Sequence, residues 1–150
     1  MTVPEPVPVP EPASLSPSPA DLVAMIPYAE TLGLTLDEAT PELVRGHLRW
    51  APGLCTTGGA MNGGAVMSLA DNVGALCAFL NLPPGANTAT VDSATNFFRG
   101  VREGALHATA RPLHVGRSFI VVRTDLSDDA GRPVGQTTQT QAVLAPRPCG

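Results

Sequence analysis

Asn62-Gly-Gly-Ala-Val-Met-Ser-Leu-Ala-Asp71-Asn-Val-Gly-Ala-Leu-Cys-Ala-Phe-Leu80 is the stretch on which the fold turns. Its 19 residues are too many for one strand, and Ala, Leu and Met favour helix, so a helix of about 28 Å is expected over residues 62–80. The segment is apolar nearly all round, which requires burial on most sides. Gly64, Ser68, Asp71, Ala75 and Ala78 recur at three- and four-residue spacing and form a small-residue stripe that lets another backbone approach. The same segment holds an anomaly. From Trp50 to Val91 the chain runs 42 residues with one charged side chain, Asp71. An isolated carboxylate in a buried segment costs several kcal/mol unless it is paired, hydrogen-bonded or used. Asp71 is therefore the candidate catalytic residue.

Outward from the helix the signals are those of strands. In Val44-Arg-Gly-His-Leu-Arg-Trp50, Val44, Leu48 and Trp50 share one face while Arg45, His47 and Arg49 share the other, the period of a half-buried strand. Four further strands are expected over residues 88–98, 105–114, 118–126 and 134–144, rich in Thr and Val and separated by Gly-bearing turns. Short spacing and the turn formers of Ser127-Asp-Asp-Ala-Gly-Arg-Pro133 make the second half an antiparallel meander. One long buried helix followed by one antiparallel sheet implies a sheet wrapped around the helix. Pro19-Ala-Asp-Leu-Val-Ala-Met-Ile26 opens a short helix that Pro27 would end or kink.

The 150 residues fit one domain with a self-sufficient core. Residues 1–19 alternate Pro with Val, Glu and Ser, which favours an extended or disordered tail, and the domain is expected over 20–150. All nine basic residues are Arg, none precedes Arg45, and the net charge is -4, so no basic patch for nucleic acid is present. The N-terminus carries Glu5 and Glu11 among its prolines and has no secretory-signal pattern, and no stretch is a convincing membrane span. A cytoplasmic protein is expected. Cys55, Cys77 and Cys149 lack Cys-x-x-Cys spacing and read as structural thiols. His47, His107 and His114 are scattered without ligand spacing, and no metal site is expected.

Gly59-Ala-Met-Asn-Gly-Gly-Ala-Val-Met-Ser-Leu-Ala-Asp71-Asn-Val-Gly-Ala resembles the pattern Gly-x-x-His-Gly-Gly-x-x-x-x-Leu-x-Asp of the hotdog-fold acyl-CoA thioesterases, the group containing phenylacetate-pathway and hydroxybenzoyl-CoA thioesterases. Val91-Asp-Ser-Ala-Thr-Asn-Phe-Phe-Arg99, Gly104-Ala-Leu-His-Ala-Thr-Ala, His114-Val-Gly-Arg117 and Asp129-Ala-Gly-Arg-Pro-Val-Gly135 are similar to the later strands and turns of that group, so the likeness spans about residues 40–145. It implies an α+β hotdog fold, with an antiparallel β-sheet wrapped around one long central helix, and hydrolysis of an acyl thioester without metal or redox cofactor.

The chemistry fits the residues. A thioester carbonyl under attack develops negative charge on oxygen, and the free N–H groups at a helix start are aimed to receive it. Gly63 and Gly64 sit where the helix should begin and let substrate approach their N–H groups. Asp71 would act as nucleophile or as general base on water, the roles the resemblance implies. Residues 63 and 71 lie ~12 Å apart along a helix axis, too far to share one carbonyl. The resemblance supplies the remedy, a homodimer that sets the helix start of one subunit against the carboxylate of the other, with a dimer of dimers as a further step.

Two positions depart from the pattern. The His before the glycines is Asn62, which can cap the helix or contact substrate but cannot carry a proton. The Asn or Gln six residues earlier is Thr56, whose hydroxyl has shorter reach for orienting water. Thr90 lies near where some relatives hold the attacking water, and it also suits an ordinary strand position. Asp92 either pairs structurally or lines the pocket. Arg117, and equally Arg99 and Arg102, are candidates for coenzyme A phosphates, although exposed Arg commonly only solvates a surface. The expected function is acyl-CoA hydrolysis, with a non-catalytic acyl-CoA binding or sensing protein as the alternative. A hydratase is disfavoured because no His stands near the helix start.

Overall fold

The computed structural model of the chain describes residues 16–146, so residues 1–15 of the Pro-rich tail and Cys149 lie outside the described residues. Two short helices come first, α1 (Pro19–Ala24) and α2 (Pro27–Leu32). Strands β1 (Thr35–Ala39) and β2 (Val44–Arg49) precede the long helix α3 (Gly63–Phe79). Strands β3 (Asn87–Phe97), β4 (Ala105–Val115), β5 (Phe119–Ser127) and β6 (Pro133–Leu144) follow it.

Helix α3 begins where Asn62 can cap it, the Asn62 Oδ1 accepting the Gly64 N–H at 2.8 Å. At its far end the Asn81 Nδ2 donates to the Cys77 carbonyl at 2.8 Å and to the Pro41 carbonyl at 2.7 Å. That residue satisfies the last turn and ties the helix to the β1–β2 turn. Val66, Leu69, Ala70, Val73, Leu76 and Cys77 are buried against Val44, Leu48, Leu106, Ile120, Val122 and Leu126 of the sheet. Each such Leu, Ile or Val contributes about 1.5–3 kcal/mol by leaving water. The stripe face is less covered: Gly64 is exposed, Ser68, Asp71 and Ala75 are half-buried, and Ala78 is buried. Part of it is met by the α1–α2 segment, where the Tyr28 hydroxyl lies 2.9 Å from the Ser68 hydroxyl.

All six strands form one antiparallel sheet in the order β1-β2-β4-β5-β6-β3, curved around α3 in the expected hotdog arrangement. Strands β4, β5 and β6 form the meander, but β3 does not join it beside β4. It pairs with β6 at the opposite edge. The crossing segment after β3 is held by fixed contacts. The Phe98 N–H donates to the Val134 carbonyl, the Met61 N–H donates to the Val101 carbonyl (both 2.8 Å), and Val101 is buried.

Two elements at the start differ from the sequence expectation. Pro27 opens α2 as its first residue, where the missing N–H costs nothing, and Gly33 closes that helix at φ +82°. Strand β1 also forms, with Asp37 and Glu38 turned outward to meet His47 and Arg45 across the pair. Among the described residues no helix is long and apolar enough to cross a membrane.

Burial in α3 pushes the Cys77 thiol up to about 11, so little thiolate forms near neutrality. Iodoacetamide at pH 8 should therefore leave Cys77 unmodified in the native protein and label it after denaturation. Peptide mass spectrometry reads the difference, and native labelling of Cys77 would contradict this packing.

Candidate active site

Asp71 lies on α3, half-buried, between the strands that flank the sheet's β3 edge. Its Oδ1 accepts from the Thr90 hydroxyl of β3 at 3.4 Å and from the Gln139 amide of β6 at 3.3 Å. The same Gln139 Nε2 is 3.4 Å from the Asp71 backbone carbonyl. Thr90 is held in turn by the Gln141 Nε2 at 2.8 Å, and the Thr88 hydroxyl donates to the Gln141 Oε1 at 3.2 Å. Every group on Asp71 in this cluster is uncharged; its carboxylate has no Arg partner among the described residues.

Gln139 and Gln141 are fully buried. They were invisible as site residues because β6 is polar on both faces: Thr137, Gln139 and Gln141 point inward while Gln136, Thr138 and Thr140 are more open. A hydrophobic period cannot orient such a strand. The available signal was a polar strand packed on a helix with one carboxylate, since buried amides must find hydrogen-bond partners.

The start of α3 is organised differently. Because the Asn62 Oδ1 takes the Gly64 N–H, that donor serves the cap, while the Gly63 N–H has no protein acceptor among the described residues. Gly63 faces the Phe97 ring, and together with Val66, Phe98 and Arg99 they line a cleft of about 380 Å³. Thr56 belongs to an exposed turn beside the helix start. Its hydroxyl accepts the Gly58 N–H at 3.3 Å, and the Trp50 Nε1 and Arg102 donate to the Gly59 and Gly58 carbonyls of the same turn. Arg102 is thus engaged in holding a loop.

A second cavity, about 230 Å³ and lined mainly by Leu22, Met25, Ile26, Ala75, Leu76 and Phe79, opens one helical turn beyond Asp71. It lies between α1 and the later half of α3. Thr88 also reaches it, joining this apolar space to the Asp71 hydrogen-bond cluster.

Arg117 is exposed in the β4–β5 turn, next to Ser118, whose carbonyl accepts the Val143 N–H, and Val143 pairs with Thr88. This is the end of the sheet where β3 begins, while Gly63 meets the end where β3 finishes. Arg117 and the helix start are therefore separated within one chain. Asp92 is exposed beyond a register shift after Thr90. A further cavity, about 570 Å³, holds Arg99, Arg102 and Arg132 with Glu103, Asp128 and Asp129. A hydrogen bond with His107 holds the Asp129 carboxyl below its ordinary range, and Asp128, though pushed up by burial, is lowered by the N–H and guanidinium of Arg132. Three acids offset three arginines there, so the cavity has no net pull on an anion. His47 meets Asp37 and His107 meets Asp129, and β2–β4 pairing brings these two rings, distant in sequence, to 5.8 Å between centroids.

Residues 58–134 match the family model described as the thioesterase superfamily. A Mycobacterium tuberculosis protein named "Putative esterase" is 30% identical over 134 residues, 87% of this chain and 96% of that one. Its solved structure, 28% identical, has a TM-score of 0.78 over 82% of this chain and 100% of its own. A variant of a Pseudomonas aeruginosa thioesterase, also solved, is 25% identical with a TM-score of 0.81, covering 87% of this chain and 96% of that one. The 1,4-dihydroxy-2-naphthoyl-CoA hydrolase of Escherichia coli is 28% identical over 86 residues, 57% of this chain and 63% of that enzyme.

The cap makes a first test possible without substrate. Asn62→Ala should lower unfolding free energy by about 0.5–2 kcal/mol in urea titration, the usual loss when a helix cap is removed. An unchanged midpoint would show that the Asn62 contact does not stabilise α3.

Proposed function

The chain belongs to the thioesterase superfamily, and from that premise we propose that it hydrolyses an acyl-CoA, or a closely related acyl thioester, to the free acid and thiol. The observation that carries this reading is the Asp71 carboxylate, held by neutral donors one helical turn from an apolar cavity. Oδ1 receives both side-chain hydrogen bonds, while Oδ2 receives none among the described residues. An oxygen left open on a fixed, charged group suits either attack on the thioester carbonyl or removal of a proton from an attacking water. The resulting oxyanion needs a donor, and of the helix-start N–H groups without an acceptor among the described residues, those of Gly63 and Ala65, Gly63 is the one that lines the cleft. Collapse of the tetrahedral intermediate breaks the C–S bond and releases the thiolate. Attack by the carboxylate would leave an acyl anhydride on Asp71 that water then opens.

We propose further that two copies complete each site. Along α3 the Gly63 donor and Asp71 are separated by ~12 Å, so they act on one carbonyl only if they come from different subunits. Strand β3 supports this pairing. It is an 11-residue edge strand, and Val91, Phe97 and the adjoining Phe98 are exposed at 56%, 51% and 60%. A long exposed edge strand with apolar side chains at its middle and end is a template for a partner strand. A second exposed apolar group, Leu113, Val115 and Phe119, supports assembly of two dimers.

The acyl group would enter the cavity formed by Leu22, Met25, Ile26 and Phe79, and about 230 Å³ suits a compact aromatic or a short to medium aliphatic chain. The Escherichia coli relative acts on a bicyclic aromatic CoA thioester, which supports including aromatic substrates in any panel. Thr90 helps fix Asp71, and Asn62 acts as the helix cap beside the donor. Thr56 and Arg117 are assigned to substrate at the rims, where the acyl thioester and the nucleotide end of coenzyme A would pass. We propose a cytoplasmic location, with acyl-CoA as the small-molecule partner.

Thiol release from aromatic, short-chain and long-chain acyl-CoAs, followed with a thiol-reactive dye, tests the activity. Asp71→Ala should reduce kcat by at least about 10³-fold, in line with loss of a group that acts on the reacting bond. Wild-type turnover by that variant would end the assignment, and tight acyl-CoA binding with no thiol release would identify a sensor instead. Ala75→Leu should raise KM for the larger acyl groups while sparing acetyl-CoA, if the cavity beside α1 is the acyl site. Light scattering at assay concentration should report a dimer or a multiple of it; an active monomer would refute the shared site.

A further inference from the structure

We infer that Gln139 is a positioning residue: its buried amide fixes the Asp71 carboxylate, and Gly74 exists in α3 to make room for it. The inference rests on the role proposed for Asp71. Gln139 lies on β6 with none of its surface exposed, and burying an amide is unfavourable unless its hydrogen bonds are met. Both recorded bonds of its Nε2 go to Asp71, to Oδ1 at 3.3 Å and to the backbone carbonyl at 3.4 Å. The reverse amide orientation would set an oxygen against those two oxygens. Its own Oε1 has no hydrogen-bond partner, so the side chain is not placed there to satisfy itself.

The opposite wall carries the matching feature. Gly74 follows Asp71 by three residues and therefore faces the same side of α3. A Cβ at Gly74 would sit 2.0 Å from the Gln139 Oε1 and 2.7 Å from its Cδ, a distance no packed side chain tolerates. A glycine inside a helix is locally unfavourable, and its α-region backbone here does not need the freedom glycine offers. The space it leaves is filled by the Gln139 amide.

A second arm converges on the same oxygen. Gln141, two residues along the same face of β6 and also buried, donates to the Thr90 hydroxyl at 2.8 Å, and Thr90 donates to Asp71 Oδ1 at 3.4 Å. Neutral amide and hydroxyl donors orient a carboxylate without cancelling its charge, whereas a guanidinium would engage both oxygens. With Oδ1 fixed from the sheet side, Oδ2 is the atom left for chemistry.

Gln139→Met keeps the length of the side chain and removes the donor. Its kcat on the best acyl-CoA should fall about 10- to 100-fold, the scale of a misplaced reacting group, with KM within about twofold. Its melting temperature should be unchanged or higher, since an unpartnered buried oxygen is removed as well. Gly74→Ala should lower kcat by displacing the amide, and should have no further effect in a Gln139→Ala background, where the added methyl has space. A Gln139→Met enzyme with wild-type kcat, activity lost only in step with stability, or independent effects at 74 and 139 would overturn the inference. If the wild-type protein releases no thiol, the proposed hydrolase fails but this inference is still read from crystal structures. Asp71 should hold one rotamer in the wild type and leave it in Gln139→Met; the same rotamer in both would refute the positioning role.

Discussion

A single carboxylate in an apolar helix constrains much of the rest of this fold. Helix α3 must be covered on most sides because its residues are apolar, yet whatever covers Asp71 has to supply hydrogen bonds there. A basic partner would meet the electrostatic need but would occupy both carboxylate oxygens. The sheet answers with Thr90, Gln139 and Gln141, which are uncharged and sit at adjoining positions of the paired strands β3 and β6. That pairing is possible only because β3 crosses to the far edge and lies beside β6. The crossover of β3 thus brings Thr90 and the two glutamines to the same carboxylate.

The two ends of α3 have separate tasks. Its start offers unclaimed N–H groups at Gly63 and Ala65, because the Asn62 side chain takes only the Gly64 N–H between them. Its middle offers the carboxylate and then, one turn on, the apolar cavity beneath α1. A rigid helix keeps donor and carboxylate ~12 Å apart, so no local adjustment can bring them onto the same carbonyl. Two copies related by a twofold axis can, and the exposed β3 edge offers the surface along which they would meet. On this reading catalysis and assembly depend on the same strand, since β3 holds Asp71 through Thr90 on one side and presents its edge on the other.

Much of this was legible in the sequence where burial is one-sided. The helix expected over 62–80 runs from Gly63 to Phe79 with Asn62 and Leu80 as its caps, and the later strands begin and end within about a residue of their Thr- and Val-rich runs. The alternation from Val44 to Arg49 became the inward and outward faces of β2. Legibility failed where polar residues face inward or where order depends on distant pairing. Strand β1 carries two acids in five residues and is held largely by its partner strand. The neighbour of β3 is chosen by a crossover anchored by Phe98, read in the sequence as the end of a strand, and by Val101, in a segment that looks like loop. Gln139 and Gln141 gave no hydrophobic signal, and their meaning appears only when Asp71 stands opposite them.

The departures at 56 and 62 make sense together once the helix start is seen. Where the resembling pattern has His, Asn62 has an acceptor oxygen that closes on Gly64, and Thr56 turns its hydroxyl back into its own loop toward Gly58. Each of these two oxygens thus serves a local backbone N–H. A site with fewer polar groups at its donor end has less means of correcting a badly placed nucleophile or base. The burden of geometry then falls on the carboxylate end, where the sheet contributes two buried amides and a hydroxyl to one oxygen of Asp71. The loss of polar reach at one pole of α3 and the buried glutamines at the other are, in that sense, parts of one arrangement.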